Sequence, residues 1–221
     1  MKKYLDLIRS LIGGEMVIDQ KMLCLGRERK IKLPAITNYI RISTLELVSQ
    51  EIAEKNVKGA VAELGVYKGQ FAKYINKLFP DRTFYLFDTF EGFNEKDVEI
   101  EVHNQFSTGT QDFSNTSIQM VMSKMEHKGK CVIKKGWFPE SLEGLEDNFC
   151  FVSLDADLYK PIYDGLEYFY PRLNKGGYIF IHDYNNKIYD GAKAAVREFC
   201  EKNNISYTPM TDTWGSVIIS K

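Results

Sequence analysis

The sequence predicts an α/β domain built on a seven-stranded, mostly parallel sheet with helices on both faces, preceded by a helical N-terminal arm. Three observations predict it. Short apolar runs of strand length alternate with longer stretches of helical character along most of the chain. Most of these runs are apolar throughout instead of alternating, as strands buried on both faces must be. Finally, 221 residues at 44% hydrophobic and 27% charged composition suffice for one large core under an ordinary surface.

Taken in order, residues 1–35 read as an irregular arm with one amphipathic helix, because Leu5, Ile8 and Ile12 recur at helical spacing. Residues 36–221 read as a single domain. Ile40 to Lys55 is a helix with Ile42, Leu45, Val48 and Ile52 on one face, ended by Asn56 and Gly59. A strand over Ala60–Val66 is followed by a helix over Gln70–Phe79, which Pro80 stops. Strands follow at Thr83–Asp88, Lys130–Lys135 and Phe149–Leu154. A helix over Ile162–Tyr170, stopped by Pro171, leads to a strand at Tyr178–His182 after Gly176 and Gly177, then to a helix over Gly191–Lys202. Ser206–Pro209 and Ser216–Ser220 close the sheet as a terminal pair. The stretch Thr89 to Ser114 breaks the rhythm. It is long, polar and without helical or strand periodicity, so it reads as a loop that covers a ligand, a lid over 89–114.

Bulk properties exclude several classes. A net charge of −1 supplies no basic field for nucleic acid. Cys24, Cys131, Cys150 and Cys200 are widely spaced with no C-x-x-C, which suits reduced thiols in a cytoplasmic protein. Asp6 and Arg9 interrupt the first apolar stretch and no small-residue cleavage site follows, so no signal peptide is expected. No apolar run approaches the roughly 20 residues of a membrane span.

Chemistry concentrates at strand ends. In A-V-A-E-L-G-V-Y-K-G a strand delivers Glu63 and then Gly65, with Tyr67 beside them, and about twenty residues later T-F-Y-L-F-D delivers Asp88. The glycine admits a ligand to the backbone, and the second carboxylate can accept both hydroxyls of a ribose. The pattern is E-x-G-x-x-x-G, with Leu64 where a pyrophosphate-binding loop needs its first glycine. An acidic, phosphate-averse turn suits S-adenosylmethionine, a sulfonium with an amino-acid tail. A second cluster, V-S-L-D-A-D-L-Y-K-P, holds Asp155 and Asp157. A third, I-F-I-H-D-Y, holds His182 and Asp183. Adjacent parallel strands end about 5 Å apart, so Asp155, His182 and Asp183 can converge on one divalent cation. Asp157, just before Tyr159 and Pro161, reads instead as the cap of the following helix.

The blocks A-E-L-G-V-Y-K-G, F-D-T-F-E-G-F, G-W-F-P-E-S-L, D-A-D-L-Y-K-P and G-G-Y-I-F-I-H-D-Y occur in this order over most of residues 37–200. Together they resemble the macrocin O-methyltransferase (TylF-like) family. The resemblance implies a class I methyltransferase-like Rossmann fold. It also implies an S-adenosylmethionine- and metal-dependent O-methyltransferase acting on a sugar hydroxyl of a natural-product deoxysugar or cell-surface glycan precursor. It places Glu63 and Gly65 beside the cofactor's methionine portion, Asp88 on the ribose, and Gly136 and Trp137 on the adenine side; Tyr67, just past that first turn, reads as a residue flanking the cofactor. Asp155 and Asp183 match metal ligands, with magnesium or manganese as the cation. His182 stands where the family usually has Asp, and imidazole suits manganese, iron or zinc better than magnesium. His103, in the lid, occupies the region of the family's proposed general base, and the proton is expected to leave to His103 or to a metal-bound carboxylate such as Asp155. Family analogy also implies a homo-oligomer. Two alternatives remain open at this point: a metal-independent methyltransferase of the same fold, and a non-catalytic subunit of a glycan-synthesis assembly.

Overall fold

The computed structural model describes residues 30, 31 and 38–221. The expected N-terminal arm and its helix lie outside the described residues, apart from positions 30 and 31. The chain divides into units 1–32 and 33–221, the second of which contains the whole sheet.

This second unit opens with helix α1 (Tyr39–Glu54), which buries Ile42, Leu45, Val48 and Ile52 as their spacing requires. It also buries Arg41. The alternation then runs β1 (Ala60–Leu64), α2 (Ala72–Leu78), β2 (Phe84–Asp88), α3 (Glu95–His103), α4 (Ile118–Ser123), β3 (Cys131–Lys135) and β4 (Phe149–Leu154). It ends with α5 (Tyr159–Arg172), β5 (Leu173–Ile181), α6 (Asp190–Asn203), β6 (Thr208–Pro209) and β7 (Val217–Ser220). The strands form one sheet in the order β3-β2-β1-β4-β5-β7-β6. Five are parallel, and β7 runs antiparallel to β5 and β6, which is the expected terminal pair. Every residue of β1 and β4 is buried, which explains their unbroken apolar runs.

The core on one side of the sheet is largely aromatic. Phe149 meets Phe169 with ring centroids 5.0 Å apart, and Phe87 meets both Phe138 and Phe169 at 5.8 Å. Nearly perpendicular rings let positive edges meet negative faces while filling space between strand and helix.

Three expectations need correction. The segment 89–114 is not a structureless loop, because it contains α3. Asn94 caps that helix by accepting the Lys96 N–H at 3.0 Å, and Glu95 and Asp97 sit in its first turn. Its buried residues are Asp97 and Glu101, so no apolar stripe marked it in the sequence. Second, Pro171 does not stop α5 but lies inside its last turn. Third, β5 begins five residues before Tyr178, because Gly176 and Gly177 run on within the sheet. A Cβ on Gly177 would lie 2.9 Å from the carbonyl oxygens of Asn174 and Cys150, so only glycine lets these backbones approach so closely.

Candidate functional site

The chain order of the strands reverses beside β1, which leads outward to β2 on one side and to β4 on the other. At such a switch point loops diverge and leave a crevice at the carboxyl edge. The backbone ladder continues one step past each strand there. Gly65 N–H donates to the Phe87 carbonyl at 2.9 Å and Asp155 N–H to the Leu64 carbonyl at 2.8 Å. His182 N–H donates to the Leu154 carbonyl at 2.9 Å and Gly136 N–H to the Asp88 carbonyl at 3.0 Å. The predicted site residues are thus the first residues beyond the sheet, held by its last rungs. They line one cleft of about 630 Å³, together with Glu63, Tyr67, Asp88, Trp137, Asp157 and Asp183.

At the ends of β1 and β2, Gly65 has φ +86°, and a Cβ would lie 2.0 Å from the Asp155 carbonyl oxygen. The turn therefore demands glycine on two independent grounds. Asp88 accepts the Tyr67 N–H at 2.7 Å and the Phe90 N–H at 2.6 Å. Burial raises its pKa, and those backbone donors pull it back. Each carboxylate oxygen keeps a second lone pair for an incoming hydroxyl. Glu63 is 1% exposed, and its Oε2 has no hydrogen-bond partner among the described residues. Burial, then the charge of Asp155, pushes its pKa well up. A buried carboxyl with an unpartnered oxygen can accept a hydrogen bond from a ligand. Gly136 has φ +134°, with open space where a Cβ would stand. Trp137 donates its indole N–H to Asp97 at 2.9 Å, while Lys96 lies 4.1 Å above its ring.

At the ends of β4 and β5, Asp155, His182 and Asp183 each offer one ligand atom, all within 4.8 Å of one another. His182 Nδ1 lies 3.0 Å from Asp155 Oδ1 and 2.7 Å from Asp183 Oδ2. Its Nε2 faces the Thr213 carbonyl at 3.2 Å. Burial disfavours the imidazolium, but Asp155 and the bonds to both carboxylates outweigh it and push the pKa up to about 10. Burial would likewise raise Asp155, yet Arg41 and His182 hold it well below the usual carboxylate range. Asp183 Oδ1 accepts the Asn186 amide at 2.8 Å.

Two residues here escaped the sequence reading. Arg41 reaches in from α1, donating to Asp155 Oδ2 at 2.9 Å and to Ser153 Oγ at 3.0 Å, with its guanidinium 3.9 Å from the Phe71 ring centroid. It is 114 positions from Asp155, so no local pattern links them. Asp157 does not cap α5, because the Tyr159 N–H is taken by Glu101 Oε2 at 2.9 Å. Asp157 instead adopts φ +60° and lines the cleft. Burial, then the charges of Asp183 and Asp155, raises its pKa well above normal. The doubled carboxylate of D-A-D was the available signal. His103 is the reverse case. It ends α3, is exposed, and is not among the residues lining the cleft.

This fold and cleft define a class I, S-adenosylmethionine-dependent O-methyltransferase. The chain belongs to the macrocin-O-methyltransferase (TylF) family, whose model matches residues 15–218. It is 25% identical over 212 residues to the 8-demethyl-8-(2,3-dimethoxy-alpha-L-rhamnosyl)-tetracenomycin-C 4'-O-methyltransferase of Streptomyces olivaceus, covering 87% of this chain and 77% of that protein. It is 27% identical over 180 residues to the mycinamicin III 3''-O-methyltransferase of Micromonospora griseorubida, covering 75% and 70%. Among solved structures it is similar to the O-methyltransferase NovP, with a TM-score of 0.69 at 21% identity over 100% of this chain and 98% of that one. No helix among the described residues is long and apolar enough to cross a membrane.

Proposed function

We propose that this protein methylates a hydroxyl of a sugar, with a divalent cation held by Asp155, His182 and Asp183 and with Asp157 as the proton acceptor. The observation that carries the reading is the convergence of those four side chains at the ends of β4 and β5. The sugar acceptor is supported by relatives named for methylating glycosylated antibiotics.

The donor set suits a cation. With Nε2 donating to the Thr213 carbonyl, the Nδ1 lone pair of a neutral His182 faces two carboxylate oxygens. Three electron-rich atoms meet there only with a positive charge between them, either a proton or a metal ion. Arg41 occupies Oδ2 of Asp155, which leaves Oδ1 as the free ligand. One nitrogen and two carboxylate oxygens favour manganese, iron or zinc over magnesium. A cation held there lowers the pKa of a hydroxyl presented to it. S-adenosylmethionine, when bound, would supply an electrophilic methyl group for the acceptor oxygen, with the thioether as leaving group. Asp157 takes the hydroxyl proton, because burial and the charges of Asp183 and Asp155 make its carboxylate a stronger base than an ordinary one. Glu63 receives the ammonium of the cofactor tail, Asp88 its ribose hydroxyls, and Gly136 and Trp137 border its base.

Arg41 and a protonated His182 together also balance Asp155 and Asp183, which favours a second reading in which transfer needs no metal. Methyl transfer measured in EDTA, then with manganese or magnesium restored, separates the two. In both readings Asp157→Asn lowers kcat by about 10²- to 10⁴-fold, with S-adenosylhomocysteine affinity within a few fold. An Asp157→Asn enzyme of full activity would remove Asp157 from the chemistry.

A further inference from the structure

Charge is segregated within the cleft. Glu63, Asp155, Asp157 and Asp183 gather at the reacting end, and amines gather at one flank. Lys68 and Lys73 both line the cleft, and Lys124 stands beside them, its ammonium donating to the Lys68 carbonyl. The Lys68 ammonium lies 4.8 Å from the centroid of the Tyr67 ring, and the Tyr67 backbone N–H donates to Asp88. Lys73 donates to the Gln70 amide oxygen at 3.1 Å and lies 4.9 Å from the Tyr74 ring centroid. All three are half-buried. Among the described residues, none of the three makes an ion pair. Asp112 is the acid that senses Lys68, but its carboxylate is held by the Ser114 N–H at 2.8 Å. Burial, then the charges of Lys73 and Lys68, lowers the Lys124 pKa, the response expected of half-buried ammonium groups crowded together.

From this flank we infer that the acceptor carries an anomeric phosphate or diphosphate, which Lys68 and Lys73 bind while the sugar reaches the Asp155, Asp157 and Asp183 end. The inference rests on the methyltransferase reading and narrows its substrate to an activated sugar instead of a finished neutral glycoside. The cofactor offers this flank one carboxylate at most, too little charge to balance three ammonium groups. Lysines bind phosphate as compact point charges, and several converging on one group give charge-assisted hydrogen bonds. Methylation would then precede glycosyl transfer, and a glycosyltransferase-class reaction would consume the product.

The test titrates inorganic pyrophosphate and dTDP into full-length protein saturated with S-adenosylhomocysteine. Saturation is established first, so a protein that fails to take up S-adenosylhomocysteine sinks the methyltransferase reading, not this one. The expected result is that at least one probe binds, that added salt weakens it, and that Lys68→Gln with Lys73→Gln weakens it by about tenfold or more. Pyrophosphate matching dTDP assigns recognition to the phosphates alone, as a lipid-linked sugar requires. Tighter dTDP assigns the nucleoside too, as a nucleotide sugar requires. The proposal is overturned if neither probe binds wild-type protein. It is also overturned if the double variant loses S-adenosylhomocysteine affinity by the same factor, which would assign the lysines to the cofactor carboxylate. The salt dependence of the wild-type protein needs no variant, so it decides the matter even if the double variant folds poorly.

Discussion

At Gly65 a single hydrogen atom separates a working turn from a collision. Both its φ of +86° and the Asp155 carbonyl, 2.0 Å from any Cβ, forbid a side chain. Gly65→Ala is expected to cost roughly 2–4 kcal/mol and to abolish S-adenosylhomocysteine binding, as urea unfolding and calorimetry would read. Asp97 shows the opposite case, a polar group buried at a cost. It is 5% exposed, with one oxygen on the Trp137 indole and Oδ1 without a partner among the described residues. Burial pushes its pKa up to about 6. A carboxyl whose pKa is higher folded than unfolded binds more protons when native, so its contribution is greatest in acid and falls as pH rises from about 4 through 6. Asn keeps the acceptor for Trp137 without the charge. Asp97→Asn is therefore expected to raise the melting temperature at pH 8 and to change it little at pH 5. A lower melting temperature at pH 8 would mean that a further contact stabilises the ionised form.

Among the elements, α3 is the one whose logic is inverted. Its buried positions are acids, and Glu101 does the docking. It is fully buried, accepts the Tyr159 N–H that opens α5 at 2.9 Å, and takes the Ser107 hydroxyl at 3.1 Å. Gly191, the second residue of α6, leaves room for it, since a Cβ there would lie 2.4 Å from Oε2. One carboxylate thus serves the N-terminal turns of two helices, where negative charge is favoured. Glu101→Ala leaves those donors unpaired and is expected to cost about 1–3 kcal/mol. Limited proteolysis should then cut within 89–117 before any other part of the domain. If cleavage there stays as slow as in wild-type protein, α3 is anchored by something other than Glu101. Helical periodicity rests on apolar residues, so it found α1, α5 and α6 and passed over α3.

For the whole molecule, the sheet order brings residues from five strand ends to one cleft, and a ligand there binds the folded state alone. S-adenosylhomocysteine at one hundred times its Kd is expected to stabilise the protein by about 2.7 kcal/mol, visible as a higher melting temperature. A melting temperature unmoved by saturating ligand would contradict the cofactor site. The sequence alone determined the alternation of strands and helices, the glycine turn at Gly65 and the carboxylates at strand ends. Those features are local, since periodicity, turn chemistry and motif spacing act within a few residues. Tertiary structure alone decided that Arg41 pairs with Asp155, that Asp157 joins the cleft instead of capping α5, and that His103 faces outward. Each depends on which distant segments meet. Burial and neighbouring charge, which set what a carboxylate or imidazole does, exist only after the chain has closed around them.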